Sequence, residues 1–328
     1  MSLKNDIVKA LEINRGRAVS GQELADMLGV SRAAVWKAVK SLQNDGYRIT
    51  AGTNKGYVLE DESDVLSEQG IKLFMEQKNM NNNIIVYKTI GSTNVEAKKL
   101  AMTGAANGTV IVANEQTDGR GRRGNSFFSP AETGIYMSVI LRPQKPLSDC
   151  LMTTVAAAVA MVDTIEALTD KKPQIKWVND IFLDGRKICG ILTEAISDFE
   201  SGMAEAIIVG VGLNVNTSVF PSDISETAGS LCPGNITRNQ LAAEIASRII
   251  SYTECDDSGK IMAEYRKKSI VIGRNITYSK GGRLCSGYVL DINDIGNLVI
   301  ETDNETEVLT SGEITIGSKN LCQNQEKK

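Results

Sequence analysis

Gly119-Arg120-Gly121-Arg122-Arg123-Gly124 is the stretch on which the fold turns. Its spacing is G-x-G-x-x-G. That pattern opens a dinucleotide-binding βαβ unit when a helix follows at once and receives the pyrophosphate at its N-terminus. Here Asn125-Ser126-Phe127-Phe128-Ser129-Pro130 follows, which starts no helix. The doubly wound reading therefore fails. Three arginines among three glycines describe instead a mobile cationic loop, because glycine lets backbone approach a ligand and guanidinium forks grip phosphate and carboxylate oxygens. A polybasic nucleic-acid patch is the rival reading; the regular glycine spacing and the phenylalanine pair favour a loop that closes over a ligand.

Around the loop the pattern is α+β. Strands are expected at Ile84–Ile90, Gly108–Asn114, Gly134–Leu141, Gln174–Val178, Ile181–Leu183, Lys187–Ile196 and Ala204–Val215. Helices are expected at Val95–Met102, at the Ala-rich Asp149–Leu168, at Thr237–Tyr252 behind a Thr cap, and at Lys260–Lys268. Strands joined mostly by hairpins, with scattered helices, give an α+β sheet. Within it, Lys176-Trp177-Val178-Asn179-Asp180 leads into a hairpin through Asp184-Gly185, and Lys187 returns beside Ile188, Ile191 and Leu192. A lysine among such neighbours is costly unless its ammonium meets an anion, so a phosphate and carboxylate site is one reading and a solvent-facing edge hairpin the other. Gly210-Val211-Gly212-Leu213-Asn214 places glycines inside a strand, which marks either a flat ligand wall or a bulge.

Upstream, a helical stripe over residues 4–13 precedes Ser20-Gly21-Gln22-Glu23, a capping box that opens a helix over Glu23–Leu28 stopped by Gly29. Ser31 caps Arg32–Asn44, and two short strands, Tyr47–Thr50 and Tyr57–Leu59, flank the turn Asn54-Lys55-Gly56. This order is that of a winged helix-turn-helix with Arg32–Asn44 as recognition helix. Ser31, Arg32, Trp36, Lys37 and Lys40 are the candidate DNA-contacting residues on it, with Lys55 at the wing tip. A merely solvated charged face is the alternative. Residues 61–83 read as a polar linker with a helix at Ser67–Gln77. Downstream, short strands at Ile270–Ile272, Asn275–Tyr278, Leu284–Ile292, Asn297–Glu301 and Glu307–Leu309 predict a small β-barrel. The resulting domains are 1–62, a linker over 63–83, 84–268, 269–318 and a tail over 319–328.

Composition narrows the chemistry. The 328 residues include no histidine, which excludes His-dependent triads, His-ligated zinc and a His general base. Proton transfer must fall to Lys, Asp, Glu, Tyr, Cys or substrate. Six cysteines lack any C-x-x-C pair, so reduced thiols are expected and a zinc cluster is not. The apolar run near Val155–Val162 is shorter than the ~20 residues a membrane span needs, so a soluble, cytoplasmic protein with no membrane partner is expected. The net charge of −4 hides an asymmetry: residues 1–60 carry nine Lys/Arg and six Asp/Glu, as a nucleic-acid-binding end should.

Taken together, Gly91–Asn94, Glu115–Thr117, Gly119–Gly124, Lys176–Asp180, Lys187–Leu192 and Gly210–Asn216 resemble, in order, the motifs of the biotin–protein ligases, and the leading helices resemble those of the bifunctional members that repress biotin operons. The resemblance covers residues 4–317. It implies a multidomain α+β protein: a winged helix-turn-helix, a central ligase domain with a mixed β-sheet, and a small SH3-like C-terminal β-barrel. It implies an ATP-dependent biotin–[acetyl-CoA-carboxylase] ligase that forms biotinoyl-5′-AMP, transfers biotin to a lysine of a carboxylase's carrier domain, and represses biotin genes as a ligand-promoted homodimer on operator DNA. Biotin and ATP are the implied substrates, with Mg²⁺.

Carried over by position, Arg120, Lys187 and Asp180 are catalytic. Ser92, Thr93, Asn94 and Gln116, with Gly119, Arg120, Gly121, Arg122, Lys187, Gly190, Gly210 and Gly212, hold biotin. Arg122, Arg123, Phe127, Lys176, Trp177, Asn179, Lys187 and Asn214 hold the nucleotide. Departures from the family pattern are Phe127 for Trp, Asn125 for Arg or Lys, and Val178 for Pro. A ligand-sensing transcription factor with a non-catalytic domain and a lipoate–protein ligase are the alternatives.

Overall fold

A computed structural model describes residues 2–52, 56–143, 146, 150–197, 203–255, 257–303 and 305–316. Lys55 and the tail beyond 316 lie outside the described residues. The chain forms two compact units, one of residues 1–86 with 233–247, the other of residues 87–232 with 248–328.

The first unit opens with α1 (Leu3–Ile13), α2 (Gly21–Leu28) and α3 (Arg32–Asn44). Each starts at a serine, Ser2, Ser20 and Ser31, whose hydroxyl accepts an N–H from the first turn. Gly29 stops α2 in the left-handed conformation, φ 63°, which costs glycine nothing. The expected cap at Ser20 and the expected span of α3 are therefore met. Ile7, Leu11, Leu24, Val35, Val39 and Leu42 converge in one core, closed by Ile49 and Leu59. These last two pair across the hairpin of β1 (Ile49–Gly52) and β2 (Gly56–Leu59). The segment over 63–83 carries α4 (Glu68–Glu76) behind a Ser67 cap, with Ile71 and Met75 buried. Asp64 grips the buried Arg238 at 2.9 Å, and Asn239 bonds the Ser67 amide, which ties residues 233–247 to this unit.

The second unit is built on a seven-stranded sheet. β3 (Ile84–Tyr87) crosses the boundary and is followed by α5 (Thr93–Met102), β4 (Thr109–Ala113), β5 (Gly134–Leu141), α6 (Cys150–Leu168), β6 (Gln174–Lys176), β7 (Asp180–Leu183), β8 (Arg186–Ser197) and β9 (Ala204–Asn214). The strand order is β3-β4-β5-β9-β8-β7-β6. Neighbours from β4 to β6 run antiparallel, while the bridge from Ile90 to Gln116 is parallel, so the sheet is mixed. α6 is 19 residues long and apolar enough to cross a membrane by length, yet Thr154–Val162 are buried as the core of this fold. α7 (Arg238–Thr253), whose residues up to 247 belong to the first unit, and α8 (Ser258–Lys268) follow.

The C-terminal strands are β10 (Asn275–Lys280), β11 (Arg283–Ile292), β12 (Leu298–Glu301), β13 (Thr306–Leu309) and β14 (Ile314–Ile316), ordered β13-β12-β11-β10-β14. β13 and β14 are the two edges, and no pairing joins them among the described residues, so this is an open antiparallel sheet rather than the expected closed barrel. Ile270–Ile272, expected as a strand, forms none: the Ile270 N–H donates to the Ile175 carbonyl, while Val271 is used in local turns, its N–H on Ser269 Oγ and its carbonyl accepting from Arg274, and Gly273 turns the chain at φ 76°. None of the five described cysteines forms a disulfide.

Candidate active site

A cavity of about 310 Å³ lies in the second unit. Its first end is the N-terminus of α5. Ser92 is the N-cap but makes no capping hydrogen bond, which leaves its hydroxyl to the cavity it lines. Gln116, just past β4, accepts the Thr93 backbone N–H at 2.8 Å through Oε1, with the Thr93 hydroxyl 3.1 Å away. Its Nε2 donates to Ser129 Oγ at 3.0 Å, and Ser129 donates to the Phe127 carbonyl. Asn94 Nδ2 donates to Glu194 at 2.8 Å and to the Leu192 carbonyl. Beneath them Ser138, fully buried in β5, lies 2.8 Å from Thr93 Oγ1 and 2.6 Å from Asn94 Oδ1.

The floor is glycine because nothing larger fits. A Cβ on Gly210 would stand 2.1 Å from Asn94 Oδ1, and one on Gly212 2.5 Å from the Phe127 ring. Phe127 thus lies across β9, its ring 3.4 Å from where a Cβ on Gly190 would stand, and edge-on to Tyr136 at 6.5 Å.

The other end is charged, and strand register assembles it. Lys176 faces Asp180 across β6 and β7, and Asp180 faces Gly190 across β7 and β8. A bulge after Ile181 then sets Lys187 opposite Phe182. Lys187 Nζ comes within 2.7 Å of Asp180 Oδ1. The contact is an ion pair without hydrogen-bond alignment: that buried oxygen has no hydrogen-bond partner among the described residues. Burial holds Lys176 below the usual lysine range, Asp180 opposing the shift and Lys187 adding to it. Burial, then Arg123, likewise lowers Arg122, whose guanidinium donates to Asn179 Oδ1 at 3.1 Å.

The Gly-Arg loop folds as a narrow hairpin. Phe127 N–H donates to the Gly119 carbonyl, Gly121 N–H to the Asn125 carbonyl, and Arg120 bridges Ser126. Gly119 lies under this hairpin, Arg123 is exposed in the left-handed conformation, and Arg120 pairs with Asp118 at 3.2 Å. Asn125 donates to Glu313 on the approach to β14, and Gly312–Thr315 close the cavity wall.

Most expected site residues converge here. Gly119, Arg123 and Asn214 do not line the cavity. Asn214 is buried and donates to the Gly229 carbonyl. Trp177 and Asn179 reach the wall yet are anchored elsewhere, Trp177 by its indole N–H on the Gly296 carbonyl and Asn179 by Nδ2 on the Ile191 carbonyl. Val178 follows Trp177 through a cis peptide bond, β6 ends at Lys176, and Tyr265 donates to the Val178 carbonyl. Sequence reasoning missed Ser138, Ser129, Glu194 and Glu313. A lone serine in the wholly buried run Gly134–Leu141 was the available signal, since a buried hydroxyl needs a partner. In the first unit, Ser31 is used as a cap, while Arg32, Trp36, Lys37 and Lys40 are exposed on α3.

The family of biotin/lipoate A/B protein ligases matches residues 86–214, and an HTH domain matches residues 4–58. The bifunctional ligase/repressor BirA of Bacillus spizizenii is 34% identical over 324 residues, 96% of this chain and 99% of that protein. The chain belongs to the BirA family. Its Escherichia coli member is 27% identical over 92% of this chain and 94% of its own length. Among solved structures, a biotin protein ligase from Aquifex aeolicus in complex with biotin and ATP superposes with a TM-score of 0.61 at 24% identity. That match covers 71% of this chain and 98% of the other, and at such identity the likeness is one of fold. In BirA terms, both halves of the bifunctional name have a counterpart here: a helix-turn-helix unit and a ligase unit holding the polar cavity described above.

Proposed function

We propose that the second unit is an ATP-dependent biotin–protein ligase and that the first unit binds operator DNA, so that biotinoyl-AMP is both intermediate and co-repressor. The observation that carries the ligase reading is the cavity with one neutral, hydrogen-bonding end and one end where Arg122, Lys176 and Lys187 surround Asp180. A carboxylate oxygen of biotin attacks the α-phosphorus of ATP, pyrophosphate leaves, and a mixed anhydride forms. An acceptor lysine amine then attacks the acyl carbon and AMP leaves. Charge builds on oxygens in both steps, and fixed cations stabilise it without histidine. Lys187 and Arg120 meet the carboxylate and α-phosphate, Arg122 and Lys176 the phosphates, and Asp180 takes the proton of the attacking amine. Phe127 offers its face to adenine.

Mg²⁺ suits this site as a passenger of the nucleotide. Asp180 and Glu313 are the carboxylates on the wall, and such an ion takes one or two carboxylates plus phosphates. When bound it supplies charge neutralisation at the phosphates. Among the described residues no cluster of three acidic or thiol groups forms a separate metal site.

The C-terminal sheet, which we read as an SH3-like fold, walls the cavity through Gly312–Thr315. Arg32, Trp36, Lys37 and Lys40, with Lys55, face DNA. Two copies of the chain, paired when liganded, would place two such helices on a palindromic site in the cytoplasm. Incubation with biotin, ATP and a carboxylase carrier domain tests the enzyme: biotinylated lysine is expected, and its absence from folded protein refutes the ligase. Operator binding unaffected by biotin plus ATP refutes the co-repressor.

A further inference from the structure

Two charged groups at the β6–β8 end of the cavity hang on separate supports. Lys187 is held through its own backbone: its N–H donates to the Thr227 carbonyl at 2.8 Å, and its carbonyl accepts the Gly229 N–H at 2.9 Å. Asp180 opens β7 directly after the turn Trp177–Asn179. Its buried Oδ1 makes no hydrogen bond among the described residues, so the turn, not a bond of that oxygen, sets where the carboxylate points. Each residue of the turn is bonded from elsewhere in the chain. Trp177 Nε1 donates to the Gly296 carbonyl at 2.9 Å. Asn179 Nδ2 donates to the Ile191 carbonyl at 2.8 Å, and the Ile191 N–H donates back to the Asn179 carbonyl at 2.9 Å. Between them, the Val178 carbonyl accepts the Tyr265 hydroxyl at 2.9 Å.

Tyr265 is fully buried on α8, and Val178 is 2% exposed. The helix is itself anchored, since Arg266 donates to the Ile292 carbonyl and Lys268 pairs with Glu166. Without the phenol hydrogen, a buried carbonyl is left unsatisfied, which is expensive enough to move the peptide. The nearest room is the cavity, which Trp177, Asn179 and Asp180 line. Pairing with Gly190 still holds the Asp180 backbone on its far side, so the carboxylate is re-aimed rather than lost. The support of Lys187 is untouched.

We propose that Tyr265 is a positioning residue for the transfer step: through the Val178 carbonyl it aims the Asp180 carboxylate at the incoming lysine. This rests on the ligase reading. In that step the amine nitrogen bonds the acyl carbon, the bond from that carbon to the phosphate oxygen breaks, and AMP leaves with the electron pair. The amine proton passes to Asp180 and on to water. Adenylation draws on Lys187 and Arg120, which Tyr265 does not support.

Single-turnover kinetics on the full-length protein separate the two steps. Pyrophosphate release reads adenylation, and loss of bound biotinoyl-AMP to a carboxylase carrier domain reads transfer. Tyr265→Phe keeps the ring that fills the core. It should slow transfer about tenfold, part of what a well-placed proton acceptor contributes, with the carrier's KM unchanged and adenylation within about twofold. Asp180→Asn should slow transfer further, by about 10²-fold. Hydroxylamine is a weakly basic amine that needs no proton acceptor, so it should discharge the intermediate in Tyr265→Phe at the wild-type rate. Equal slowing of both steps, or equal slowing toward hydroxylamine and lysine, gives Tyr265 a purely structural role and overturns the proposal. A Tyr265→Phe protein that does not fold, or one that transfers normally, overturns it too, as does normal transfer by Asp180→Asn. A wild type that biotinylates no carrier overturns the ligase reading and this proposal with it.

Discussion

At the α5 end of the cavity, polar side chains answer mostly to other neutral groups, and geometry does the selecting: Ser138, Thr93, Gln116 and Ser129 bond one another in series. At the β6–β8 end, four cations, Arg120, Arg122, Lys176 and Lys187, face two carboxylates, Asp180 and Glu313, among the lining residues. One end is complementary before any ligand arrives. The other is electrostatically incomplete and gains its partners with an anion. On the proposed reading, the difference teaches how a site divides its labour: the neutral end would decide which molecule enters, and the charged end what happens to it.

The comparison breaks first at Lys187. Lys187→Met should lower the rate of adenylation, read as pyrophosphate release, by about 10²–10³-fold, the scale of losing one preorganised charge-stabilising group. If biotin affinity falls as far as the rate, the two ends are not separable. Gly210→Ala should act in the opposite sense. The added Cβ collides with Asn94 Oδ1, and the repacking it forces should cost about 1–3 kcal/mol, or roughly 5–150-fold in biotin affinity, with the KM for ATP hardly changed.

A subtler effect comes from Lys176. Its proton is held less tightly in the folded protein than at the ordinary value of 10.5. The unfolded chain therefore binds more protons between the lowered pKa and 10.5, and stability rises with pH across that window. An adenylate phosphate reverses the shift, so binding in the same alkaline window should take up a proton. Calorimetry at about pH 9 in two buffers of different ionisation heat measures the uptake, and Lys176→Met should abolish it. The smallest expected effect is that of Asn125→Ala, which releases the Glu313 contact and should quicken loss of the intermediate by about threefold, as for an exposed hydrogen bond.

Much of this was legible in the sequence because local chemistry decides it. Serine caps placed α2 and α3, and the absence of a helix after Gly124 removed the doubly wound alternative. Lys176, Asp180 and Lys187 could be named from one hairpin. Their mutual distances could not, because the bulge after Ile181 that brings Lys187 to Asp180 leaves no mark on residue type. Glu313 was invisible for another reason: its approach to Asn125 spans 188 positions and depends on how β14 pairs with β10. Trp177 and Asn179 were expected at the ligand on motif position, and both line the cavity; that their polar atoms bond Gly296, Ile191 and Arg122 is a long-range satisfaction that single-residue reading does not reveal.

The chain has two tryptophans, and the fold separates them completely by environment. Trp36 stands 55% exposed on α3 of the first unit, while Trp177 is 3% exposed on the cavity wall of the second. Intrinsic fluorescence is thereby already a two-channel instrument. A red-edge component open to iodide quenching reports the helix that would face DNA, and a blue, shielded component reports occupancy of the cavity. Each unit can be watched without attaching a dye.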